Sequence, residues 1–115
     1  MNNALRLEEI QNGPVSVVSV TGRIDSTNAS EFLEGLQKAL TRGDKAVVVD
    51  LKGVLYLTSA AFRVLLVATD EAERKSARLV LCSVLGQVRE LFEMGGLLDA
   101  FTIHNSREDA LAALN

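Results

Sequence analysis

The run Ala46-Val47-Val48-Val49 restricts the fold more than any other stretch of this chain. Four consecutive apolar residues, three of them β-branched, describe a strand buried on both faces, because a half-exposed strand alternates apolar with polar. The strand is expected over Ala46–Leu51. Asp50 to Tyr56 then breaks the pattern with charge and Gly53, and reads as a loop. Thr58 and Ser59 follow, just ahead of a long helical run. A hydroxyl in that place can accept a free backbone N–H of the first turn, so one of the two is expected to cap the helix.

That helix has an unusual surface. From Ala60 to Ala68 only Arg63 is polar, whereas an ordinary amphipathic helix keeps one face wet. If Phe62, Leu65, Thr69 and Ala72 face the core, Ala60, Val64, Val67 and Glu71 point elsewhere. Either neighbouring elements bury that second face, or it is a docking face beside a hydroxyl open to modification. Apolar patches rimmed by polar residues mark protein contacts.

The rest of the chain supplies the architecture. Leu5–Gln11 suits an edge strand, Asn12-Gly13-Pro14 a turn, and Val15–Val20 (VSVVSV) a strand, together an antiparallel hairpin. Thr21–Asn28 reads as a loop ending in several capping residues. Ala29, Phe32, Leu33, Leu36 and Leu40 then repeat at helical spacing up to Gly43. Arg78–Ser83 is a further apolar strand. Val84, Val88, Leu91 and Phe92 mark a helix that Gly95-Gly96 ends. Phe101–His104 is a short strand, and Ser106-Arg107-Glu108-Asp109 resembles a capping box ahead of a last helix. Strand and helix alternate from Val15 onward, which implies a largely parallel sheet with crossover helices. The expected fold is α/β: a mixed, mostly parallel sheet of four to five strands with about four helices, in a single domain over residues 1–115.

Composition narrows the function. A net charge of -3 without a basic block argues against nucleic acid or an anionic membrane surface as partner. No run reaches membrane-spanning length and the first residues lack the apolar core of a signal peptide, so the expected location is cytoplasmic. Cys82 stands alone in an apolar run, where a buried thiol is the expectation. With a single histidine, His104, far from Cys82 in sequence, there is no metal-ligand spacing, and no glycine-rich phosphate loop follows a strand. No metal, cofactor or catalytic residue is assigned, and the chain is not read as an enzyme. Asp50 ends the buried strand, a common active-site position, but without a base partner it reads as a turn residue. A phosphate on Ser59 or Thr58 would add about -1.5 to -2 charges. A helix N-terminus tolerates such a charge, while a partner's apolar surface resists it.

Three stretches carry a family resemblance. VTGRIDSTNASEF (Val20–Phe32), VVVDLKGVLYLTSAAFRVLL (Val47–Leu66) and VRELFEMGGL (Val88–Leu97) occur in the order and spacing of the STAS domain. The chain thus resembles the bacterial anti-sigma factor antagonists. The resemblance implies a second helix and leading loop that bind an anti-sigma factor with serine kinase activity. It also implies release by phosphorylation, restoration by a metal-dependent Ser/Thr phosphatase, and control of transcription by partner switching. Carried onto this chain, the partner-binding residues are Asp25, Thr58, Ser59, Ala60, Arg63, Val64 and Val67, with Ser59 and then Thr58 as the phosphorylation candidates. The family's Asp-Ser-Ser/Thr-Gly loop reads Thr58-Ser59-Ala60-Ala61 here. The acid, the second hydroxyl and the glycine are replaced, and the added methyl groups are expected to make the docking face more apolar. Two other readings stay open: a STAS subunit of a lipid-transport ATPase or stress-signalling assembly without phosphoregulation, and a small enzyme or nucleotide binder using Ser59 and Asp50. A dimer through Val64 and Val67 is also left open.

Overall fold

The computed structural model describes residues 4–42 and 45–114; the helix stop expected at Gly43 lies outside them. The elements run β1 (Arg6–Asn12), β2 (Val15–Ile24), α1 (Ala29–Leu40), β3 (Ala46–Leu57), α2 (Ser59–Arg74), β4 (Arg78–Cys82), α3 (Gly86–Met94), a 3-10 turn (Leu98–Ala100), β5 (Ile103–His104) and α4 (Arg107–Leu114). One five-stranded sheet takes the order β1-β2-β3-β4-β5. β1 is antiparallel to β2, joined through Gly13 at φ +59°, and the remaining pairs are parallel. The α/β expectation holds in its sheet and in its helices.

Crossovers that advance one strand at a time set successive helices on one side of the sheet. On that side Phe32 and Leu36 of α1, Leu65 and Ala68 of α2, and Val88 and Phe92 of α3 pack on Val18, Val20, Val47, Val49 and Leu81. Among the described residues α4 alone covers the other side, where Ala110 and Leu114 meet Val15, Val17, Ala46, Val48, Val80 and Cys82. This double cover is the physical reason that Ala46–Val49 contains no polar residue. Among the described residues no helix is long and apolar enough to cross a membrane.

The loop expected over Asp50–Tyr56 is strand. β3 continues to Leu57, and Thr21–Ile24, also expected as loop, extends β2 alongside it. The register moves from Ser19↔Asp50 to Thr21↔Gly53, and from Gly22↔Val54 to Arg23↔Tyr56. At each shift β3 spends one more residue than β2, so Leu51, Val54 and Leu57 stand three apart and are all buried. Bulges of this kind bend a strand while keeping its apolar set inward. Gly53 sits inside the first shift. A Cβ there would lie 2.5 Å from Thr21 Cγ2 and 3.2 Å from the Val20 carbonyl oxygen, so the two strands approach too closely for a side chain.

Asp50 is not a turn residue. It is buried within β3, where its Oδ2 accepts a hydrogen bond from Arg107 Nε at 2.9 Å and its Oδ1 accepts the Lys52 N–H at 3.0 Å. β5 is shorter than expected because Phe101 leaves the strand to join a ring cluster. Phe92 meets Phe62 edge-on at 4.9 Å and Phe101 at 5.9 Å. Ser106 behaves as the capping pattern requires, its Oγ accepting the Asp109 N–H at 3.0 Å. α3 begins at Gly86, so Val84 is buried in the approach to the helix and not within it. Cys82 is a buried free thiol; burial first, then the Asp50 charge, pushes its pKa up to about 11. His104 Nε2 is buried with no hydrogen-bond partner among the described residues.

Candidate functional site

The carboxyl ends of β2 and β3 bring the predicted site residues to one end of the molecule. β3 passes into α2 through Thr58, whose backbone is extended at φ -107° and ψ 179°. Its N–H donates to the Ile24 carbonyl at 3.1 Å, which ties the start of α2 to the end of β2. Its own carbonyl accepts the Ala61 and Phe62 N–H groups at 3.0 and 3.3 Å. Thr58 therefore holds the N-cap position, but its hydroxyl makes no capping bond and lies 3.5 Å from the Ile24 carbonyl. The expected side-chain cap is absent: the hydroxyl is turned toward β2 and away from the first-turn N–H groups. Ser59 is the first helical residue and is exposed.

α2 has three sides. Ala61, Leu65, Ala68 and Ala72 are sealed against the sheet. Phe62 and Thr69 flank them on the side of α3 and the Phe101 segment, through the Phe62–Phe92 contact and a cavity lined by Thr69, Glu73 and Phe101. Of the opposite side, expected to hold Ala60, Val64, Val67 and Glu71, the residues Ala60, Val64 and Glu71 turn toward α1, where Gln37 Nε2 donates to Glu71 Oε1 at 2.9 Å, while Val67 stands at its exposed outer edge. Val64 is only 6% exposed. This corrects the expectation that Val64 lies on an open docking face: α1 covers it. Ala60 is half-buried on the same flank, and the Ala61 methyl points into the core. The methyls that replace the family's hydroxyl and glycine thus go largely into packing, not onto the outer surface.

What stays open is the crest between these flanks: Ser59, Arg63, Leu66, Val67, Asp70 and Arg74. Leu66 and Val67 are 42% and 39% exposed, an apolar pair about two turns from Ser59. Arg63 precedes the pair, and the Asp70–Arg74 ion pair at 3.0 Å closes the far end. Leu66 was not among the residues predicted for the site. Its signal was present in the spacing, since positions 59, 63, 66 and 70 follow one helical stripe.

Asp25 lies in the short loop between β2 and α1, beside the α2 start. Its Oδ1 accepts the Thr27 N–H at 2.9 Å and the Thr27 hydroxyl, while its own N–H donates to Asn28 Oδ1 at 2.9 Å. The Thr27 hydroxyl, then the Thr27 N–H, hold the Asp25 carboxyl below its ordinary pKa of 3.8. Asn28 Nδ2 also donates to the Arg23 carbonyl at 2.9 Å, which closes the loop on itself. Next to it the Arg23 guanidinium stacks over the Tyr56 ring at 4.9 Å. The loop is thus a preformed wall, and beside it β2 and β3 present an exposed cation and an aromatic ring that the sequence reading did not include. No group of three or more His, Cys, Asp or Glu suited to a metal ion occurs among the described residues.

Known proteins resemble this chain over nearly its whole length. Residues 6–110 match the STAS domain. BtrV of Bordetella bronchiseptica, named as an anti-sigma factor antagonist, is 36% identical over 97 residues, 84% of each chain. The crystal structure of an anti-sigma factor antagonist from Mycobacterium paratuberculosis superposes with a TM-score of 0.88 at 23% identity, covering 99% of this chain and 97% of that one. The Bacillus cell fate determinant SpoIIAA in its phosphorylated form has the same fold, with a TM-score of 0.71 at 18% identity over 97% of this chain and 100% of that one.

Proposed function

The chain belongs to the STAS domain family, and on that premise we propose that it is an anti-sigma factor antagonist. It acts by binding, not by catalysis, and its partner is an anti-sigma factor with serine kinase activity. The carrying observation is the crest of α2. An exposed apolar pair, Leu66 and Val67, follows an exposed Ser59 and Arg63 on a helix otherwise packed on both flanks. The contact surface is Ser59, Arg63, Leu66 and Val67 at its centre, with Thr58, Ala60 and Asp25 at its edge. Val64 supports it from beneath by fixing α2 on α1.

Ser59 is the phosphorylation site of this reading. It is the exposed hydroxyl, whereas Thr58 is half-buried and faces the Ile24 carbonyl. A phosphate there would meet the positive end of α2, with Arg63 four residues on along the crest. The fold would accept the charge. A partner seated on Leu66 and Val67 would have to desolvate it, and the complex would weaken. A metal-dependent Ser/Thr phosphatase then resets the switch.

Calorimetric titration against the kinase-type anti-sigma factors of the same cell tests the reading. Wild type should bind one of them. Leu66→Glu and Ser59→Asp should each weaken that binding by roughly a hundredfold or more with the circular dichroism spectrum unchanged. Failure of wild type to bind any such partner overturns the proposal. Incubation with the partner and ATP, followed by peptide mass spectrometry, should place phosphate on Ser59. Finding none on Ser59 or Thr58 would remove the switch and leave the binding in place.

A further inference from the structure

We propose a second site, unrelated to the α2 crest: the crevice at the carboxyl ends of β4 and β5, beside the middle of β3, binds a small, polar, oxyanion-bearing ligand. The connections leaving β4 and β5 part company there. The chain after β4 turns to α3 on one side of the sheet, and the chain after β5 turns to α4 on the other. Neighbouring strands whose connections depart to opposite faces leave a crevice between them, and open α/β sheets bind ligands in such a crevice. Here it is a cavity of about 320 Å³, walled by Ser83 and Leu85 after β4 and by Asn105 and Ser106 after β5. That volume lies at the small end of ligand sites. Apart from Leu85 the lining residues are polar or charged, so a polar occupant would find hydrogen-bond partners there.

The uncommitted hydrogen-bond donors point to an oxyanion. Lys52 and Arg107 both line the cavity. They face two acids: Asp50 is buried and already satisfied by Arg107 Nε and the Lys52 N–H, and Glu108 is exposed, as Lys52 is. The hydrogen bond to Asp50 uses Nε of Arg107, so the terminal amino groups of the guanidinium are not committed to that carboxylate. Asp50 is then a positioning residue: it holds a flexible arginine across the cavity, which lowers the ordering cost of binding. Lys52 adds a second charge from two residues further along β3, and the Ser83 and Ser106 hydroxyls and the Asn105 amide supply neutral donors. Ser83 also sits at φ +60°, a backbone state uncommon for a side-chain-bearing residue, with its N–H held by the His104 carbonyl at 3.1 Å.

Phosphate is the simplest such anion, whether free or carried by a metabolite. Titrating the full chain with inorganic phosphate and, separately, ribose 5-phosphate, against sodium chloride at equal ionic strength, tests the site by amide NMR shifts. Saturable shifts at Lys52, Ser83, Leu85 and Asn105–Glu108 are expected with at least one phosphate probe, and the tighter probe names the source. Lys52→Ala changes an exposed side chain and should weaken binding roughly tenfold, as loss of one charge-assisted contact does. Arg107→Lys keeps the charge but loses the fork, and should also weaken it. Chloride producing the same shifts, no saturation with either probe, or unaltered affinity in folded Lys52→Ala overturns the proposal.

Discussion

Gly53 and Asp25 show how single residues set the site. A methyl at Gly53 would stand 2.5 Å from Thr21 Cγ2, against a β-branched side chain and a backbone carbonyl that have little room to move. Gly53→Ala should therefore destabilise the protein by about 1–3 kcal/mol, the usual cost of overpacking, measured by urea unfolding. Asp25 makes a prediction about pH. Its carboxyl is held below 3.8 by Thr27, so its NMR titration midpoint should fall below that value and rise toward it in Thr27→Val. The sign follows from linkage. A depressed folded pKa gives stability that is present above the unfolded pKa and is lost as pH falls through the lower, folded value. The loop should loosen only in that acid range. Neither effect was legible from sequence: Asp25 was placed in a turn-rich loop, but its bonding to Thr27 depends on a local conformation that several arrangements of Asp, Ser, Thr and Asn would satisfy.

At the scale of elements, β3 and α2 account for most of what the sequence showed and what it hid. The Ala46–Val49 run announced a doubly covered strand because both faces demand apolar residues. Its continuation was hidden because two bulges space Leu51, Val54 and Leu57 by three, which breaks the two-residue alternation by which a strand is read. In α2 the apolar excess was plain, but its direction was not. Helical periodicity orders residues around an axis without saying which neighbours arrive, and α1 took the flank that carries Val64. The two valines should accordingly respond in opposite ways. Val64→Ala should cost about 2 kcal/mol of stability in urea unfolding, since it removes two buried methyls from a packed helix contact. Val67→Glu should leave stability within about 0.5 kcal/mol, as surface changes do, and abolish partner binding in calorimetry. If the two effects were exchanged, the crest would be on the wrong side of the helix.

Across the whole molecule, the layer arrangement was legible because strand and helix alternate through the chain, while the contact that locks α4 was not. Arg107 and Asp50 lie 57 positions apart, and only the assembled sheet places α4 over β3. Breaking that pair with Arg107→Ala leaves a buried carboxylate without its cation. The expected loss is about 1–3 kcal/mol, below the value for fully sealed pairs because the arginine is one-third exposed, and chemical denaturation would measure it. Strand order supplies a last consequence. Position in the sheet follows position in the chain from one edge to the other, so each new strand lays itself against the one just before it. No strand has to be threaded between two that are already paired. Assembly can proceed like a zip drawn from one end, in the same direction as synthesis, with each helix sealing its strand before the next arrives.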